Sequence, residues 1–133
     1  MSSKIKIITT NDAPAAIGPY SQATTNDEYI FTAGQIAIDP KTGILITGNI
    51  IEQTHRVIQN IEVILEEAGV GLDAVMKTTV FMTNLSDFAR MNKVYGQYFK
   101  DSRPARSAVQ VTALPLGAQI EIECIAIKDD TVC

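Results

Sequence analysis

The sequence predicts an α+β fold in which a mixed or antiparallel sheet is covered on one face by two helices. Segments 50–68 and about 86–99 carry apolar residues at three- and four-residue spacing, the pattern of helices with one buried stripe. Runs rich in β-branched residues surround them, in the order strands, helix, strand, helix, strands. The 133 residues, 46% hydrophobic and 20% charged, suit one domain over 1–133. A chain of this size can bury about two-thirds of its unfolded surface without disulfides or metal.

Segment 4–9, KIKIIT, alternates and reads as the first strand. Pro14, Gly18 and Pro19 then forbid regular structure across NDAPAAIGPYSQ. Segment 21–26 reads as a short strand and 29–33, YIFTA, as a stronger one, with Asn26-Asp27 turning between them. Pro40, Gly43 and Gly48 make 39–49 a hairpin-like excursion. In helix 50–68 the stripe is Ile50, Ile51, Val57, Ile58, Ile61, Ile64, Leu65 and Ala68. Asn49 is placed to cap it, with Glu52 three residues on as in a capping box. Gly69 supplies the stop, since a left-handed residue costs glycine little. VMKTTVFMT, 75–83, reads as a strand. The second helix starts at Ser86 or its neighbour and presents Phe88, Met91, Tyr95, Tyr98 and Phe99 as a core face. Arg103-Pro104 breaks the chain before strand 106–112, and Leu114-Pro115-Leu116-Gly117 leads to the last strand, 119–128.

Composition excludes several functions. Eleven Lys+Arg against fifteen Asp+Glu, a net charge of -4, argues against a general nucleic-acid binder. His55 is the only histidine, so a multi-histidine metal cage or a catalytic triad that bypasses it is impossible within one chain. Its position in the first helix reads as a solvated face. Gly34-Gln35 is no phosphate loop, because neither G-x-G-x-x-G nor G-x-x-x-x-G-K-[ST] occurs. No metal and no cofactor are expected. Cys124, inside IECIAI, reads as a small buried hydrophobe, Cys133 is terminal, and no C-x-x-C pair exists. MSSKIKIITT lacks an apolar h-region and no run approaches the roughly 20 residues of a membrane span. A cytoplasmic protein with no membrane partner is expected.

The chemistry concentrates in the last two strands. Alternation puts Ile120, Ile122, Cys124 and Ala126 on one face, suited to lie under the helices. Gln119, Glu121, Glu123, Ile125 and Ile127 take the other face, which suits partial exposure or a subunit interface. Arg106, Ala108 and Gln110 share a face of strand 106–112. If these two strands pair with polar faces aligned, Arg106 meets a carboxylate. Two readings then compete: a structural Arg–Glu pair at an interface, or a site for a small carboxylic acid. In the second, the guanidinium grips a carboxylate bidentately and a desolvated Glu accepts a proton from water. Tyr20, after the Gly-Pro turn, is either a loop aromatic over a pocket or a packed tyrosine.

APAAIGPYSQA (13–23), FTAGQI (31–36), KTTVFMTNLSDFARMN (77–92), PARSAVQV (104–111) and QIEIECIAI (119–127) resemble the reactive-intermediate deaminase family. That family is RidA, formerly YjgF, with the older label translation-inhibitor endoribonuclease L-PSP. The likeness runs along nearly the whole chain, and P-A-R-S followed by I-E-I-E is its most specific part. It implies a fold like trimeric chorismate mutase, a homotrimer with sites in the clefts between subunits, and hydrolysis of 2-imino acids to 2-keto acids and ammonia. By the same resemblance Arg106 grips the substrate carboxylate and Glu121 positions or activates water. Tyr20 is the pocket's loop tyrosine, Gly34 the glycine whose backbone approaches the ligand, and Phe88 and Asn92 the helix residues near the cleft. Ala108 contacts substrate through backbone atoms. The alternatives are an endoribonuclease and a non-catalytic carboxylate-binding module. Two departures bear on rate and preference: Ala33 stands where many members have serine, and Ala108 where many have cysteine. Once neighbouring subunits close over the open face, Arg106 is further expected to have a defined counter-ion even without substrate.

Overall fold

Within residues 4–128, which the computed structural model describes, the elements are β1 (Lys6–Ile8), β2 (Ala23–Thr25), β3 (Tyr29–Thr32), β4 (Ile38–Asp39), β5 (Ile44–Leu45), α1 (Ile50–Glu67), β6 (Val75–Met82), α2 (Phe88–Phe99), β7 (Ala105–Gln110) and β8 (Ile120–Ile127). Cys133 lies outside the described residues. The local chemistry that forms them is visible at their ends. Asn49 Oδ1 accepts from Ile51 N and Glu52 N, while the Glu52 carboxylate accepts from Asn49 N, so the capping box is closed. Gly69, with φ 91°, ends α1, where Val70 N donates back to Leu65 O. Asn26 Oδ1 accepts from Glu28 N and Tyr29 N, which folds the β2–β3 turn. The second helix begins later than its sequence predicts. Asn84 caps a single 3-10 turn over Leu85–Asp87, and the α-helix starts at Phe88.

The strands form one six-stranded mixed sheet in the order β1-β2-β3-β8-β6-β7, and β4 pairs with β5 in a separate hairpin. Neighbours are antiparallel except β6 and β7, which α2 connects as a parallel crossover. The sequence-based pairing of the last two strands is corrected here, because β6 lies between them. The local cause is α2: it returns the chain to start β7 beside the start of β6, and β8 then adds antiparallel on the other side.

One sheet face, with Ile30, Val80, Met82, Ile120, Ile122, Cys124 and Ala126, is buried under the helices. It meets Val57, Ile58, Ile61, Ile64 and Leu65 of α1 and Met91, Tyr95 and Phe99 of α2. Each Val, Ile, Leu, Met or Phe among them contributes roughly 1.5–3 kcal/mol on burial. Ile51 departs from the expected stripe and is exposed. His55 is not simply solvated either, since its Nδ1 lies 2.8 Å from the Tyr98 hydroxyl at the seam of the two helices. A bulge between Val75 and Lys77 resets the alternation of β6. Val75 therefore faces the core, Lys77 faces away, and Thr78 faces the core again, in register with Cys124. Among the described residues no helix is long and apolar enough to cross a membrane.

Candidate functional site

Arg106 stands at the start of edge strand β7, in register with Thr78 on β6, and therefore on the helix-covered face. Above it, Phe88, Asn92, Tyr95 and Phe99 of α2 follow one another at +4, +3 and +4, so they share one side of the helix. The guanidinium carbon lies 5.2 Å from the Phe88 ring centroid and 4.7 Å from that of Tyr95. Nη1 donates to Asn92 Oδ1 at 2.6 Å. Tyr95 OH and Thr78 Oγ1 are 2.7 Å apart. Ala108, two residues beyond Arg106, packs against the core on the same face.

Among the described residues no carboxylate pairs with Arg106, in contrast to the ion pairs Lys6–Asp27 and Arg90–Asp87. Within the described residues of one chain a neutral amide oxygen and two aromatic faces hold the guanidinium, and the counter-ion is expected of the assembled trimer. The physical reason is partial burial: the fork keeps a solvated side, so ring quadrupoles and one acceptor suffice to hold it. A guanidinium held this way still has its full charge and N–H groups to offer an anion.

Glu121 lies elsewhere. Gln35 N donates to Ile122 O at 2.8 Å and Ile122 N to Gln35 O at 3.1 Å, which draws the 33–35 backbone against β8. Gly34 then sits directly over the Glu121 side chain. A Cβ at Gly34 would lie 2.8 Å from Glu121 Cδ and closer still to Oε2, so only glycine leaves this carboxylate its place. Burial, and secondarily the charge of Glu123, raise the Glu121 pKa above the ordinary carboxylate value. Because the folded pKa is the higher, the ionised form is penalised in the fold. That penalty is absent below the unfolded pKa and complete above the folded one. Glu121→Gln is therefore expected to melt higher than wild type at neutral pH, the gap closing as pH falls through the carboxylate range. Thermal melts across pH check this, and equal melting temperatures at neutral pH contradict it.

The register keeps these two groups apart. Arg106 aligns through Thr78 with Cys124, on the core face, whereas Glu121 aligns with Phe81 on the open face. Two strand spacings and three residues separate them, about 14 Å between Cα atoms before their opposite directions are counted. The conditional meeting of Arg106 with a carboxylate of the last strand does not occur within one chain. Tyr20 stands in the β1–β2 connection, 52% exposed, its hydroxyl reached by Ile17 N. Gln22 braces that connection, accepting from Thr10 N and donating to Thr10 O and Pro14 O. The structure thus brings Arg106, Phe88, Asn92 and Ala108 together on one face and Gly34 and Glu121 on the other.

The open face is apolar for a solvated surface. Ile7 is 68% exposed and Phe31 50%, and Tyr29, Val109 and Ile127 also reach solvent. A depression of about 280 Å³ among Phe31, Lys77, Thr79, Glu123 and Ile125 crosses its centre. Cys124 opens onto no chemistry of its own: burial pushes its thiol up to about 11, so it stays protonated. Among the described residues no three His, Cys, Asp or Glu side chains gather as metal ligands. Sequence reasoning missed Thr78 and Tyr95 as parts of the Arg106 site. The one available signal was the spacing of Tyr95, seven residues after Phe88 on the same helical face.

The family model described as Endoribonuclease L-PSP matches residues 10–128. A RutC family protein of Pyrococcus abyssi is 55% identical over 124 residues, covering 93% of this chain and 98% of that protein. The 2-iminobutanoate/2-iminopropanoate deaminase of Homo sapiens is 47% identical over 129 residues, covering 96% and 94%. Among solved structures, E. coli TdcF with bound serine is similar at a TM-score of 0.89 and 42% identity, covering 93% of this chain and 99% of that one.

Proposed function

From the chain's membership of the RidA/YjgF family, the endoribonuclease L-PSP family, we propose that it hydrolyses small 2-imino acids, or their enamine tautomers, to 2-keto acids and ammonia. The observation that carries this reading is Arg106, a guanidinium pre-set by Asn92, Phe88 and Tyr95 and left without an anion among the described residues. Relatives in mouse and human named 2-iminobutanoate/2-iminopropanoate deaminase support the reaction. The serine bound by TdcF is a small amino acid with an α-carboxylate, the group that Arg106 suits.

The N–H groups of Arg106 not taken by Asn92 bind the substrate carboxylate and fix its plane. The C=N carbon is already electrophilic, so the site mainly needs orientation and a placed water. Water adds to that carbon as Glu121 takes its proton, giving a carbinolamine. With the imine entering protonated, that proton then passes from Glu121 to the carbinolamine nitrogen, the C–N bond breaks as Glu121 takes the hydroxyl proton to form the C=O, and keto acid and ammonia leave. A pKa raised by burial brings Glu121 nearer the working pH, which suits this double duty. No metal or cofactor takes part. Phe88 and Asn92 act through Arg106, Gly34 gives the carboxylate its room, Tyr20 closes the pocket, and Ala108 offers backbone atoms.

The working unit is a homotrimer in the cytoplasm. Arg106 and Glu121 occupy opposite faces, so one small substrate touches both only if they come from different copies. The apolar open face supplies a surface for a neighbour to cover. The test generates 2-iminobutanoate or 2-iminopropanoate with a PLP-dependent dehydratase and follows keto-acid release. Acceleration over spontaneous hydrolysis is expected, and its absence overturns the reading. The endoribonuclease reading rests on the family description; RNA cleavage lost with Arg106→Ala would favour it, whereas cleavage that persists belongs to a contaminant.

A further inference from the structure

We infer that Tyr95 and Thr78 form a buried clamp that sets the angle of the Arg106 fork, acting as positioning residues for the carboxylate anchor. This rests on reading Arg106 as that anchor. Thr78 and Tyr95 are 1% and 6% exposed, so their hydroxyls do not touch a ligand seated on the solvated side of Arg106. What they touch is each other, at 2.7 Å, across the gap between β6 and α2. Thr78 is the strand neighbour of Arg106 in the β6–β7 register, so the hydroxyl that pins the ring and the arginine that lies on it are tied to the same ladder. Phe99 backs the Tyr95 ring from the core, with centroids 4.6 Å apart and planes at 37°. The ring is therefore fixed at its tip by Thr78 and along its body by Phe99. Against that fixed ring the guanidinium lies at 4.7 Å, and Asn92 stops its rotation at Nη1.

An arginine side chain gives up much of its rotamer freedom when ordered. A clamp that orders the fork before substrate arrives removes that cost from binding. Loosening the ring should thus raise KM and leave kcat nearly unchanged, because ground state and transition state share the carboxylate contact.

The test uses the assembled protein with Thr78→Val, Tyr95→Phe, their double variant and Thr78→Ser. Two quantities are read: KM and kcat for imino-acid hydrolysis, and NMR of the Arg106 guanidinium N–H groups, assigned by their loss in Arg106→Lys. Thr78→Val and Tyr95→Phe are each expected to raise KM about threefold to tenfold, the range of one hydrogen bond, with kcat within about twofold. Both should speed rotation about the guanidinium Nε–Cζ bond. The double variant should be no worse than the worse single one, and Thr78→Ser should restore wild-type values. Unchanged guanidinium rotation in both single variants overturns the clamp, whatever the rates. A KM raised equally by Thr78→Ser and Thr78→Val also overturns it, since that would be packing alone. Faster rotation in a protein that hydrolyses no imino acid supports the clamp and overturns the proposed substrate.

Discussion

Arg106→Ala is expected to lower kcat/KM for imino-acid hydrolysis by about a hundredfold to a thousandfold, the scale on which truncating a charge-assisted, partly desolvated contact weakens recognition. The substitution removes the only group at this end of the site that matches a carboxylate in charge and plane. Phe88, Asn92 and Tyr95 would remain, shaped around a cation that is gone. Arg106→Lys should recover little. An ammonium cannot bridge Asn92 and a carboxylate in one plane while lying flat on two rings. The fold should survive both changes, because Arg106 sits on an edge strand and is only partly buried. A melting temperature within a few degrees of wild type, beside lost turnover, is the expected pair of results. Turnover kept in Arg106→Ala contradicts the carboxylate anchor.

The legible parts of the fold are those whose cause is local. Helix α1 was readable because its stripe repeats over five turns and both of its ends carry their own chemistry, Asn49 with Glu52 and Gly69. The inward face of β8 was readable because IECIAI alternates cleanly. Strand adjacency was not legible, since pairing is a long-range choice: β7 and β8 follow each other in sequence but flank β6 in space. The bulge at β6 was hidden as well, because VMKTTVFMT reads as unbroken alternation, which would put Val75 and Lys77 on one face. That error propagates to the site. Without the bulge and the intervening strand, nothing in the sequence says that Arg106 and Glu121 point away from each other. The family resemblance picked out both residues but not their separation. Thr78 was invisible for another reason, and Tyr95 carried only its helical spacing from Phe88: a threonine in a strand and a tyrosine on an apolar helix face look like ordinary fold-forming residues, and only the 2.7 Å contact joins them.

The second large effect concerns assembly. Arg106→Ala and Glu121→Gln should each be nearly inactive alone, yet active when mixed within one trimer. In the proposed trimer, a ring of three identical, head-to-tail interfaces would pair the Arg106 of one copy with the Glu121 of the next. When the two variants assemble at random, about three-quarters of trimers are mixed, and each mixed trimer holds one site with both residues intact. About one-quarter of the wild-type activity per site should therefore return, although neither parent contributes any. Sedimentation should give three copies for wild type and for both variants, so that recovery reflects complementation and not rescue of folding.

The measurement that tests the account most directly is this mixing experiment, done by co-expressing the two variants with different tags and purifying through both. The account predicts imino-acid hydrolysis at about one-third of wild type in the doubly tagged trimers, each with one intact site of three, and none beyond background in either variant alone. Doubly tagged trimers no more active than the parents, with wild type active under the same conditions, would mean that Arg106 and Glu121 do not meet across copies.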